Sequence, residues 1–213
     1  MSAFVPEFPV LAAYLVAAVV LGLTPGPDMT LFLSKAVGQS RAAGLAAFTG
    51  ASTGLVIHSV LVAAGLSVML AASATAFTVL KIVGAAYLAY LAYDAIVNGS
   101  AFALERGSPS ERISSVYLKG LLVNLLNLKI IVFFVTFLPQ FVAPTDPAAT
   151  GKLLFLGLAF VVVNIPVCVG LILFAHHIAG YLKRSPWATR VVDWAFAGVL
   201  GAFAVRLILT QTR

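Results

Sequence analysis

The stretch LTPGPDMTLF, residues 23–32, interrupts an apolar run that begins at Phe8. Two prolines, a glycine and an aspartate stand where a membrane-crossing helix would be uniform. Pro25 and Pro27 each remove a backbone donor, and Gly26 tolerates dihedral angles closed to other residues. The spacing predicts a helix that ends near Thr24 and restarts with Pro27 at its first position, where a missing N–H does no harm. Residues 8–23 rise about 24 Å at ~1.5 Å each, so the break falls inside a hydrocarbon core about 30 Å thick. Unwound backbone at that depth has to be buried in protein or line a polar cavity. The plainer alternative is a proline kink that only shapes packing.

Outward from this stretch, composition sets the class. The chain is 62% hydrophobic and 9% charged, with a mean hydropathy of +1.07. Soluble domains carry about 25% charged residues, so this chain cannot solvate a globular surface of its own. Apolar segments near the length of about 20 residues that a spanning helix needs occur at 8–37, 43–70, 75–97, 115–142, 152–176 and 189–209. The expectation is an all-α integral membrane protein with about six transmembrane helices, the first and fourth broken. The N-terminal MSAFVPEFPV has no Lys or Arg and carries Glu7, so the first segment reads as a retained span, not a cleaved leader. It could also be re-entrant, which would leave five spans.

Cys168 is the single cysteine, which excludes an internal disulfide and a cysteine-based metal cluster. No cofactor or metal is expected. The net charge of +6 does not point to nucleic acid, because the basic residues sit singly between spans. Lys35 and Arg41, Arg106 and Arg112, then Lys183, Arg184 and Arg190 follow segments one, three and five. This bias places the odd-numbered connections in the cytoplasm and both termini outside, in the plasma (inner) membrane. Lys81, Lys152 and Arg213 are the basic residues of the other side.

The longest polar connection, 98–114, separates a first repeat at about 1–97 from a second at about 115–213, within one transmembrane domain spanning 1–213. The halves resemble each other weakly. The restart at Pro27-Asp28 is matched by Leu128-Lys129, and GLAAFTG (44–50) lies over GKLLFLG (151–157). His58 then falls within one position of Asn164, and VGAAYLAY (83–90) lies over AGVLGAFA (197–204). Three spans per half is an odd number, so the second half sits inverted. Inverted repeats with interrupted helices are the architecture of secondary transporters, with substrate near the midplane.

The polar residues inside the segments are the candidate binding and proton-coupling groups. Asp28 lies in the first turn of the restarted helix, where the helix dipole alone would favour a carboxylate; buried carboxylates in membranes are costly and commonly functional. Asn127 can cap a second restart with Leu128 first and Lys129 in the opening turn. A cation there opposes the dipole, and Asp28 is its expected counter-ion. His58 is either a transport residue or a buried hydrogen-bond former, and Asn124 and Asn164 either coordinate substrate or bond a neighbouring helix. Asp94, Asp193, His176 and His177 lie near span ends, and Trp187, Trp194 and Tyr181 read as an interfacial belt. The Gly and Ala stripe over 43–65 reads as close helix packing.

TPGPDMTLFLSKAVGQSRAAG (24–44) resembles the first-span signature of the LysE/RhtB-type amino-acid exporters. GAAYLAYLAYDAI (84–96) is similar to their third span and NLLNLKIIVFFVTFLPQFV (124–142) to their fourth. The resemblance covers essentially the whole chain. It departs from the family's Asn-Pro-Lys at position 128, where this chain has Leu between Asn127 and Lys129. The resemblance implies export of amino acids or related small molecules from the cytoplasm, with proton coupling as the drive and protons, an amino-acid-like substrate and the bilayer as partners. The sequence leaves room for a homo-oligomer without requiring one. Two other classes stay open: a passive channel or small-molecule sensor on the same scaffold, and an intramembrane enzyme. The last lacks its parts, since no His-Glu-x-x-His, Gly-x-Ser-x-Gly or Cys-x-x-Cys occurs.

Overall fold

The computed structural model describes residues 4–24, 26–72, 74–97, 110–143 and 146–177, with short helical pieces between 187 and 205. Among these residues all regular structure is helical. Pro25 and most of the expected sixth segment lie outside the described residues, as do Arg106, Lys183 and Arg184.

The first segment is two helices. α1 (Phe8–Leu23) ends at Thr24, and α2 (Pro27–Gly38) restarts with Pro27 at its first position, the two axes bent by 55°. Gly26 is extended, with φ −168° and ψ 179°, so it does not use the left-handed region open to glycine. α3 (Arg41–Ala72) is longer than its apolar segment, because Arg41 and Ala42 join its first turn. α4 is Ala74–Val97.

The fourth segment is also broken. α5 (Ile113–Leu125) stops at Leu126, and α6 (Leu128–Val132) continues through a π turn (Phe133–Phe137) and a 3-10 turn (Leu138–Phe141), with a 49° bend at the break. Here no proline sits at the restart. Asn127 sets it instead, its side-chain Oδ1 accepting the Lys129 backbone N–H at 3.1 Å. Leu128 occupies the first helical position and is half exposed. α7 (Ala149–Leu173) begins three residues before the apolar segment does. Asp146 explains the extension, since its Oδ1 accepts the Ala148 N–H at 2.8 Å and its backbone carbonyl accepts Ala149 N–H.

Two of the described helices are long and apolar enough to cross a membrane, four if each bent pair is one span. α3 packs on α5, α7 and α2, and α1 packs on α7. The α3–α5 contact is made by glycines. A Cβ on Gly50 would stand 2.0 Å from the Tyr117 carbonyl, and one on Gly120 would stand 2.1 Å from the Ala47 carbonyl. Without side chains at these points the two backbones touch, which is how small residues hold helices together in lipid. The expected packing role of the Gly and Ala stripe is what these contacts show.

The buried apolar residues form two clusters. One joins Tyr14 and Leu21 of α1 to Phe133, Phe134 and Phe137 of the π turn and to Leu153, Leu156 and Phe160 of α7. The other joins Met29, Phe32 and Leu33 of α2 to Phe48 of α3, Val116 of α5 and Cys168 and Ile172 of α7. Each broken segment contributes to the first cluster on one side of its break and to the second on the other. The buried polar residues Thr24, Asn124, Asn127, Lys129 and Asn164 fall where one cluster gives way to the next along the chain.

Candidate functional site

The two helix breaks meet. Asp28, in the first turn of α2, accepts two hydrogen bonds on one carboxylate oxygen: Asn124 Nδ2 donates to Oδ2 at 2.8 Å and Asn127 Nδ2 donates to it at 3.0 Å. Asn124 comes from the last turn of α5 and Asn127 from the cap of α6, so the carboxylate of one break is held by both sides of the other. Asn127 does two things at once, because its Oδ1 caps α6 while its Nδ2 reaches Asp28. The turn between them is closed by the Asn127 N–H donating to the Asn124 carbonyl at 3.0 Å.

The second oxygen of Asp28, Oδ1, is buried and has no hydrogen-bond partner, and neither does Asn124 Oδ1. A buried acceptor left unpaired costs about 1–3 kcal/mol. The site therefore holds spare acceptors beside a carboxylate, an arrangement suited to a ligand rich in N–H donors. Gly54 makes the room for Asn124, since a Cβ there would lie 2.4 Å from Asn124 Oδ1.

Lys129 enters from the first turn of α6 and is 8% exposed. The expected ion pair with Asp28 is not formed: no Lys129–Asp28 contact within 4.0 Å is among the ion pairs of the described residues. Lys129 Nζ donates to the Thr24 carbonyl at 2.9 Å instead. The reason lies in the backbone. α1 ends at Thr24, and the last carbonyls of a helix have no intrahelical donor, so a cation near the negative end of α1 is favoured where one at the start of α6 is not. Gly26 leaves the space, because a Cβ there would stand 2.7 Å from Lys129 Nζ and 3.2 Å from Cε. The two charged groups thus occupy one break, on separate partners.

His58 belongs to this assembly through the backbone. Its Nε2 lies 3.3 Å from the Asn124 carbonyl, a hydrogen bond when Nε2 carries the proton, and its ring leans on Phe134 at a centroid distance of 6.1 Å. Asn164 makes no hydrogen bond to Asp28 or Lys129. Its Nδ2 donates to the Phe160 carbonyl at 2.9 Å and the Ala18 carbonyl at 3.3 Å, tying α7 to α1, and its Oδ1 is buried without a partner. That oxygen occupies the space where Gly22 lacks a side chain. Asn164 therefore sits beside the end of α1, two residues before Thr24.

Sequence reasoning missed two features. The Thr24 carbonyl is a main-chain ligand, and nothing in a residue type announces it beyond the proline that follows. A second polar cluster, Glu111 with Lys35, Lys119 and Gln39, was not singled out, because Lys35 reads as an ordinary loop-side cation. Among the described residues no group of three His, Cys, Asp or Glu is placed to hold a metal.

The LysE type translocator family matches residues 19–211. A homoserine/homoserine lactone efflux protein of Salmonella typhimurium is 32% identical over 187 residues, 88% of this chain and 90% of that protein. An uncharacterized membrane protein of Vibrio cholerae is 33% identical over 179 residues, 84% of this chain and 87% of that one. A leucine efflux protein of Salmonella choleraesuis is 27% identical over 203 residues, 93% and 94% of the two chains. No solved structure matches.

Proposed function

Since the chain belongs to the LysE type translocator family, as a multi-pass membrane protein related to amino-acid efflux proteins, we propose that it is a secondary carrier exporting small amino compounds by proton antiport. The observation that carries this reading is the meeting of the two breaks at Asp28, whose Oδ1 and whose neighbour Asn124 Oδ1 are buried acceptors awaiting donors. An ammonium group supplies three N–H donors and a charge complementary to the carboxylate. Homoserine, homoserine lactone and leucine, the compounds in the relatives' names, share that group.

The steps follow from charge. An ammonium arriving at Asp28 takes the open Oδ1 and leaves the Asn124 and Asn127 bonds to Oδ2 in place. Lys129, held on the Thr24 carbonyl, is the cation within the same break that can turn to a substrate carboxylate, with the free N–H groups at the start of α2 beside it. A proton reaching Asp28 from outside removes its negative charge, weakens the hold on the ammonium and favours release on that side. Release of that proton into the cytoplasm restores the Asp28 carboxylate for the next export step.

We read the scaffold as two inverted three-helix repeats, about 1–97 and 115–213, each opening with a broken helix. Asn127 takes the place of a proline at the second restart, so the pattern survives Leu128. His58 orients the Asn124 turn through its carbonyl, and Asn164 steadies the end of α1. A passive channel would move substrate only down its gradient, and an enzyme would alter it. The test is efflux of unmodified labelled amino acids from proteoliposomes under an imposed pH gradient. Movement against the substrate gradient that an uncoupler abolishes is expected; movement that stops at equal concentrations would leave the channel reading.

A further inference from the structure

Away from Asp28, a second polar cluster joins the far ends of the two helices that carry the site. Glu111 lies just before α5 and accepts Lys35 Nζ on Oε1 at 2.7 Å and Lys119 Nζ on Oε2 at 2.6 Å. Gln39, the cap of α2, donates Nε2 to the Glu111 carbonyl at 2.7 Å and accepts the Glu111 N–H on Oε1 at 3.3 Å. Glu111 is not spent on capping α5, which has no side-chain cap. Its carboxylate reaches across to α2 instead.

The geometry gives these contacts a task. α2 carries Asp28 in its first turn and is capped by Gln39, and α5 starts beside Glu111 and carries Asn124 in its last turn, so the two helices meet at both ends and pack together along the way. The end near Asp28 is bonded through Asn124, and the opposite end is clasped by Glu111. Lys35 is 8% exposed on its side chain whereas Lys119 is 54% exposed. The water-screened Lys119 contact contributes little, and the Lys35 contact dominates, because a nearly buried ammonium stripped of its carboxylate must seek water. Beyond the other end of the bundle, the described ion pair Lys152–Asp146 lies within one connection and at the start of α7, so it clasps no two helices.

We propose that Glu111 is a gating residue: its contacts to Lys35 and Gln39 hold α2 against α5 and shut the path from that end of the bundle to Asp28, and their release admits substrate. The proposal rests on the transport reading for its consequence, though not for its mechanics. The neighbouring ammonium groups of Lys119 and Lys35 hold the Glu111 carboxyl down to about 2. Glu111 therefore stays ionised at every pH a cell reaches, and opening has to come from competition or helix movement, not from its protonation.

The experiment places spin labels at Ser34→Cys, a half-buried position on α2, and Arg112→Cys, the exposed cap of α5, in a Cys168→Ser background of the full chain in nanodiscs. The unaltered clasp should give one short distance. Glu111→Gln and Lys35→Gln should each add a longer population, and Glu111→Asp should keep mainly the short one. If the open state is ordinarily populated at about 1–10%, apparent affinity for substrate offered on the Glu111 side should tighten by about tenfold or more in Glu111→Gln. A single short distance in both Gln variants, with unchanged affinity, would overturn the proposal. Because the clasp is broken from either partner, poor folding of one variant leaves the other to decide. A distance change without uphill efflux by the unaltered chain would sink the transport reading and leave the clasp standing.

Discussion

Gly26→Ala isolates the contact between the two breaks. Gly26 has φ −168° and ψ 179°, extended backbone that alanine adopts freely, so the substitution brings no conformational strain. What it brings is a Cβ 2.7 Å from Lys129 Nζ. Ordinary contact begins near 3.4 Å, so the ammonium must withdraw by about 0.7 Å. Nζ ends a flexible side chain and can give way, so what the substitution puts at stake is its 2.9 Å bond to the Thr24 carbonyl. Loss of a hydrogen bond from a charged donor costs about 1.5–3 kcal/mol. The same Gly26→Ala change made in a Lys129→Ala background meets no ammonium. It should then be neutral or stabilise by about 0.4–1 kcal/mol through the unfolded chain. The four proteins form a double-mutant cycle with an expected coupling of about 1.5–3 kcal/mol, read from reversible unfolding in mixed micelles. Equal losses in both backgrounds would refute the steric reasoning and place the role of Gly26 in its backbone.

Gly120→Ala puts a Cβ 2.1 Å from the Ala47 carbonyl, so α3 and α5 must part by about an ångström; a loss of about 1–3 kcal/mol is expected, with efflux falling too because α5 carries Asn124. Wild-type stability of this variant would contradict the backbone contact. Tyr14→Phe removes the 2.7 Å bond from the Tyr14 hydroxyl to the Leu156 carbonyl, and unfolding should register about 0.6–1.7 kcal/mol, the range for interhelical bonds in membranes. Glu111 has a folded value near 2 against an ordinary 4.5, so its contribution to stability is complete above about 4.5 and is lost as pH falls through about 2. A pH titration of unfolding should lose this acid-side slope in Glu111→Gln. A cysteine at Ser108 in a chain lacking Cys168 should resist an impermeant thiol reagent in intact cells, since the Lys and Arg bias puts that connection inside; ready labelling would reverse the orientation.

Much of the site was legible because its physics is local. Pro25, Gly26 and Pro27 announce a break by what they remove from the backbone, and Asn127 announces a cap by what it adds. Both restarts fall at Pro27 and Leu128, the residues the pattern named. The partner of Lys129 was not legible. Repeat matching places Lys129 near Asp28, but choosing between a carboxylate and a helix-end carbonyl needs three-dimensional geometry, and the Asn124 and Asn127 amides had already taken one Asp28 oxygen. Asn164 illustrates the same limit. Its match to His58 was visible in sequence, yet one faces the Asn124 carbonyl and the other the end of α1. Glu111 was illegible for another reason, because contacts between residues 35, 39 and 111 span more than seventy positions and no periodicity encodes them.

The most direct test of the central claim is uphill efflux by Asp28→Asn in proteoliposomes under an imposed pH gradient. Asparagine keeps the size of the side chain and an oxygen for one of the Asn124 and Asn127 donors, so the variant should insert and unfold much like the unaltered chain. It carries no charge to hold an ammonium and no site for a coupling proton. Correctly folded Asp28→Asn should therefore fail to move substrate against its gradient. Accumulation equal to that of the unaltered protein would contradict a coupling site at Asp28, whatever else the two breaks do.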